Sequence, residues 1–194
     1  MVTHAELVSA FGRLWVETMP PEVAERHFAR PEDRRLLTEV GVPQSVLGQL
    51  YLGDVRTDSP RTIGQVLGNG TPEGFPPGIL DDIVIAIGMG GLACMSRTEN
   101  RVYWYEPGTS DRRFALVNTS LERFLETAYQ LRVKFTGLDL VEDEDEDAMG
   151  AEIAAEVRRI VGEIRDIDPP SFDSPVMFWQ HVVLFALNTL ASEG

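Results

Sequence analysis

The chain has 194 residues, 43% of them hydrophobic and 25% charged, which suits one globular domain over 1–194 with a sizeable core. Thirty-one acidic residues face 17 basic ones, and the formal net charge of −14 argues against direct contact with nucleic acid or an anionic membrane surface; it suits either a basic macromolecular partner or solubility alone. A single cysteine, Cys94, excludes an internal disulfide and suits the cytoplasm.

The opening residues show no basic segment followed by an apolar one, so no secretory leader is expected. No window reaches the roughly 18 consecutive apolar residues of a membrane span. Thr3 and Glu6 form a capping-box pattern that opens a helix through Leu7, Phe11 and Leu14 to about Trp15. Pro31, Glu32 and Asp33 suit the first turn of a second helix, which carries Leu36, Leu37 and Val40. Gly41 is its expected stop, with Pro43 just beyond.

Between Leu50 and Leu116 glycine and proline are frequent and apolar runs are short. Strands are expected over Thr62–Leu67, Ile83–Ile87, Leu92–Met95, Val102–Tyr105 and Phe114–Val117. Thr98 to Arg101 reads as a tight turn. Strands joined by short turns predict an antiparallel meander. Helical spacing then returns. Asn118 or Thr119 caps a helix, Glu122 completes a capping box with Thr119, and Leu121, Phe124, Leu125, Ala128 and Leu131 form its apolar stripe. Residues 142–147 are six consecutive acids and predict an exposed acidic loop over 141–149. After Gly150, Ile153, Val157, Ile160, Val161 and Ile164 form another stripe, ended by Pro169 and Pro170. Ser174 and Pro175 then open a last helix rich in large apolar residues. The fold class expected is α+β, with a central, mainly antiparallel sheet of about five to six strands flanked by N- and C-terminal helices.

Several patterns invite a chemical reading. Gly88, Gly90 and Ala93 fit the spacing G-x-G-x-x-A, and Glu106 lies eighteen residues after Gly88. That fingerprint needs a helix N-terminus to hold a pyrophosphate, and no helical stripe follows, so a glycine-rich hairpin turn is expected. Taking Asp143 as the first ligand of a calcium loop puts Ala148 where glycine belongs and Ala154 where the bidentate glutamate belongs. His4, His27 and His181 are far apart, and no zinc spacing occurs. His181, in the apolar last helix, reads as a core or interface residue. No nucleophile elbow or P-loop is present. We therefore expect no catalytic residue, no metal and no cofactor. Strand alternation puts Val102 and Trp104 on one face and Tyr103 and Tyr105 on the other. One face must be core. The tyrosine face is either a contact surface or covered by further structure.

Three segments resemble the SUKH superfamily of bacterial immunity proteins, most closely its fourth subgroup, common in actinomycetes. They are the helix end from Arg35 to Gly41 and Pro43, the strand Ile83 to Gly88 with the strands after it, and the strand, Asn118-to-Ser120 junction and helix from Phe114 to Leu125. Gly41, Pro43, Gly88, Asn118 and Ser120 are its fold markers here. The family often has a tryptophan leading into the first of these strands, where this chain has Asp81 and Asp82. The resemblance implies a non-enzymatic protein that binds and neutralises a toxin domain, a nuclease or a nucleic-acid deaminase. Such toxins are usually basic, and an acidic inhibitor would be steered to them. The expected partner-binding residues are Glu142, Asp143, Glu144, Asp145, Glu146, Asp147, Tyr103 and Tyr105. The alternative is a regulatory or scaffold module of the same fold with a non-toxin partner, and a third is an enzyme or small-ligand protein, which would need a deep pocket such as around Gly88–Gly91.

Overall fold

The computed structural model describes residues 1–52, 60–68, 78–106, 115–136, 138, 146–173 and 177–193, the side chains of 146–149 and 191–193 excepted. Helix α1 (His4–Phe11) opens on a complete capping box. The Thr3 amide donates to Glu6 at 2.8 Å, and the Glu6 amide donates to Thr3 Oγ1 at 3.3 Å. Gly12 ends it at φ 90°, short of the expected Trp15, which lies in a 3-10 turn (Arg13–Trp15).

Strand β1 (Val16–Glu17) leads to helix α2 (Pro21–His27), then helix α3 (Pro31–Arg35). Each helix starts on proline, whose missing N–H is one the first turn leaves unbonded anyway. A π turn over Leu36–Val40 continues α3 and closes with the Gly41 amide on Leu36 O at 2.8 Å. Gly41 sits at φ 84°, and a Cβ there would stand 2.6 Å from Glu17 O. That close approach lets β2 (Val42–Pro43) pair with β1.

The main sheet has six strands, β3 (Ser45–Val46), β4 (Leu50–Tyr51), β5 (Ile83–Gly88), β6 (Gly91–Met95), β7 (Val102–Tyr105) and β8 (Ala115–Asn118). All pairs are antiparallel and neighbours in sequence are neighbours in the sheet, so the expected meander is found. Thr62–Leu67, expected as a strand, is instead a capped helix, α4 (Ile63–Leu67). Thr62 and Gln65 form a second capping box, a signal present in the sequence and outweighed there by the β-branched residues. Phe114 lies outside the described residues.

Helix α5 (Leu121–Phe135) buries the expected stripe of Leu121, Phe124, Leu125, Ala128 and Leu131. Its cap is Ser120, whose hydroxyl accepts from the Arg123 amide at 3.1 Å, not Thr119. Helix α6 (Glu146–Ile164) begins inside the acidic run rather than after Gly150. Acidic residues are favoured at a helix N-terminus, because the orphan amides there carry partial positive charge. Pro169 does not end α6. It starts a short helix, α7 (Pro169–Phe172), after a 3-10 turn over Arg165–Ile167. Ser174 and Pro175 lie outside the described residues, and α8 runs Phe178–Glu193.

Alternation divides the sheet into two faces. Ile83, Ile85, Ala93, Met95, Val102 and Trp104 pack into the main core with α5 and α8. Trp104 meets Phe178 at 5.0 Å between ring centroids, and Phe124 meets Trp179 at 5.6 Å. The opposite face carries a smaller cluster in which Ile63 and Ile79 cover Val84, Leu92, Cys94 and Tyr105.

A buried polar network joins the sheet to the C-terminal helices. Asn118 is 0% exposed. Its amide nitrogen donates to Asp168 at 3.0 Å, and its oxygen accepts from Trp179 Nε1 at 3.1 Å. Asp168 also accepts from the Thr119 amide at 2.7 Å and the Thr119 hydroxyl at 2.8 Å. Thr119 is thus drawn from its expected capping role into this network.

Candidate functional site

The Gly88–Gly91 segment is a two-residue hairpin turn. Met89 has φ 44° and Gly90 φ 79°, the left-handed pair that a tight hairpin requires. Strand β6 starts at Gly91, so no helix N-terminus faces the turn and no pyrophosphate site forms. The cleft beside it, lined by Val66, Leu67, Ile87, Met89 and Leu92 with the glycines, presents no convergent polar side chains.

The expected partner-binding residues fare differently. Glu142, Asp143, Glu144 and Asp145 lie outside the described residues. Glu146 and Asp147 are the first two residues of α6. Tyr103 is half-buried and donates from its hydroxyl to Glu99. Burial and that bond push its hydroxyl above the usual range. Tyr105 is 0% exposed, so it offers no contact surface. The reason is local. Leu92 stands opposite it across the strand pair, and α4 roofs that end of the sheet. His181, expected in the core or an interface, lies on the exposed side of α8.

Ionisable groups with altered titration instead gather at the other end of the β6–β7 hairpin. Its loop is closed by the Ser96 amide on Arg101 O at 2.8 Å, with Asn100 in the left-handed region at φ 59°. Asp82 is 6% exposed and accepts from the Arg97 amide at 3.0 Å. Burial pushes its carboxyl up, and that hydrogen bond pulls part of the way back. Facing the loop are His27 at the end of α2 and Asp33 in α3. Together they enclose a cavity of about 190 Å³ with apolar walls from Phe28, Ile83 and Met95.

Asp33 is 3% exposed. Burial pushes its carboxyl up to about 6, with Arg30 opposing and Glu32 reinforcing the rise. Asn100, oriented so that its nitrogen faces Asp33, donates to Oδ2 at 2.8 Å and accepts from Arg30 at 2.5 Å. Burial, then the charges of Arg26 and Arg97, hold the His27 ring below its ordinary value. Its Nε2 is buried without a hydrogen-bond partner. The cleft therefore offers a carboxylate and a neutral ring nitrogen, both able to accept from a donor that enters it. Clustered shifts of this kind mark functional sites more often than surface chance does. Sequence reading assigned Asp33 only to the first turn of its helix, because its burial depends on a hairpin more than sixty residues away.

Among the described residues no helix is long and apolar enough to cross a membrane. No curated protein and no solved structure matches the chain. The family model described as SUKH-4 immunity protein matches residues 2–185, nearly the whole chain and every element that frames this cleft. The chain belongs to the SUKH-4 immunity protein family.

Proposed function

We propose that this immunity protein acts in the cytoplasm by binding a basic toxin domain that attacks nucleic acid, a nuclease or a deaminase, and blocking it through direct protein–protein contact. Family membership supplies the immunity role, and the formal net charge of −14 is the observation that carries the choice of a basic partner. Opposite potentials steer encounter and raise the association rate at low salt. Six of the acids sit together at 142–147, and the remainder of the chain keeps a formal charge of −8, so attraction does not depend on that run alone. The acidic run and Tyr103 are retained as contact residues in this reading, while the buried Tyr105 acts through packing.

The test is co-expression with the toxin domain encoded beside the gene, followed by co-purification across a salt series. Growth rescue and a complex that weakens as salt rises support the reading. Failure to rescue, together with no complex at low salt where attraction is strongest, overturns it.

A further inference from the structure

The cleft beneath the β6–β7 hairpin holds a carboxylate, that of Asp33, buried at its wall. Among the described residues no cation closes an ion pair with Asp33. Arg30, half-exposed, lies 3.7 Å from Glu32 and also donates to Asn100. A buried charge without a partner is expensive, and an asparagine of the same shape would avoid that expense. His27 adds a ring nitrogen, buried without a hydrogen-bond partner, at the same cavity. The cavity, about 190 Å³, falls below the roughly 300 Å³ at which small-molecule pockets begin, but it admits the end of one side chain. Phe28, Ile83 and Met95 offer apolar wall to a methylene stem.

We propose that this cleft is a socket for one lysine or arginine side chain of the toxin, whose charged end pairs with Asp33 and donates to His27 while its stem lies along Phe28, Ile83 and Met95. The identity of the partner rests on the function proposed above; the socket can be probed without it. The charged groups that face Asp33 are Arg30 just before α3 and Glu32 within it, His27 from α2, and Arg97 and Glu99 from the hairpin, with Asp82 behind the hairpin loop. An incoming cation stabilises the ionised carboxylate and lowers its titration midpoint. Binding therefore weakens as pH falls and Asp33 takes up its proton. Protonation of His27 opposes the guest in the same direction, and variants at the two positions separate the contributions.

Propylguanidinium and n-butylammonium are the probes, and n-pentanol is the uncharged control. The Asp33 carboxyl carbon is followed by NMR across pH 4–8, with and without probe. The expected result is a midpoint lowered by about 1 unit in the presence of either cation and unmoved by the alcohol. At pH 7 the Asn100 and Arg97 amide signals shift in a saturable way, and both responses vanish in Asp33→Asn. His27→Gln keeps the Asp33 response in reduced form. Equal effects of cation and alcohol, or amide shifts that persist in Asp33→Asn, overturn the socket. The wild-type titration decides this even where a variant fails to fold. With the toxin domain in hand, Asp33→Asn is expected to weaken binding at pH 7 about tenfold or more and to remove most of its dependence on pH. If toxin binds wild type and Asp33→Asn alike, the socket falls and the immunity reading stands. If wild type binds no toxin, the immunity reading falls and the probe titration still decides the socket.

Discussion

The side-chain amide of Asn118 donates to the carboxylate of Asp168 at 3.0 Å, and both residues are buried. This bond ties the last strand to the segment that opens α7, fifty positions further along the chain. Asn118 simultaneously accepts from Trp179, so three elements meet at one side chain. Every partner of Asp168 in this network is a donor: the Asn118 amide, the Thr119 N–H and the Thr119 hydroxyl. Asn118 is thus a structural clasp, buried and bonded to both segments.

Asp168→Ala removes the acceptor shared by the buried Asn118 amide and the half-buried Thr119 N–H and hydroxyl. The expected loss of stability is about 3 kcal/mol, since each orphaned buried polar group is costly. Urea unfolding followed by tryptophan fluorescence measures it. A loss below about 1 kcal/mol contradicts the clasp, because a single exposed hydrogen bond is worth that much.

Two glycine-to-alanine substitutions should move stability in opposite directions. At Gly88 a Cβ would stand 1.9 Å from Gln49 O, so alanine must push β4 away from β5. The expected penalty is about 2–3 kcal/mol. At Gly162, inside α6 and exposed, a Cβ meets nothing within 4 Å. Alanine there should stabilise by about 0.5–1 kcal/mol through helix propensity. Thermal melts of the pair check both signs.

The titration of Asp33 predicts a slope in stability against pH. Its folded midpoint, about 6, lies above the ordinary 3.8, so between those values the native chain binds more of this proton than the unfolded chain. Stability contributed by this group is therefore present at low pH and lost as pH rises through that window. The penalty at pH 7 is as much as about 3 kcal/mol. Asp33→Asn should raise the melting temperature at pH 7 by several degrees and reduce the slope. Asp82, whose carboxyl is also raised by burial, keeps part of the slope in the variant. A variant no more stable than wild type at pH 7, with the slope intact, removes Asp33 as its origin.

The acidic run makes a kinetic prediction. Replacing Glu142, Asp143, Glu144 and Asp145 by glutamine and asparagine spares the two acids that open α6. The fold should persist, with an unchanged circular dichroism spectrum. The association rate with the toxin should fall, and its dependence on salt should flatten. An unchanged salt dependence places the charge attraction elsewhere on the surface.

Much of this architecture was legible before the structure. The alternation of Val102, Tyr103, Trp104 and Tyr105 assigns two faces, and those are the faces observed. The stripe from Leu121 to Leu131 is buried as its spacing predicts. The candidate site was not legible in the same way. Nothing near Asp33 distinguishes it from any other acid in a helical first turn, and Asp82 is one of two adjacent acids before a strand.

Local signals therefore determined the order of helices and strands, the hairpin at Gly88–Gly91 and the acidic character of the whole. Periodicity, glycine backbone freedom and charge are properties of neighbouring residues, and a sequence displays them directly. Only the tertiary structure decided that Tyr105 is roofed by α4, and that Asp33 and Asp168 are buried carboxylates with opposite fates. Burial depends on what distant segments bring to the same place. Asp168 met three donors there and became part of the frame. Asp33 met a hairpin that closed over it, and among the described residues no cation there forms an ion pair with it.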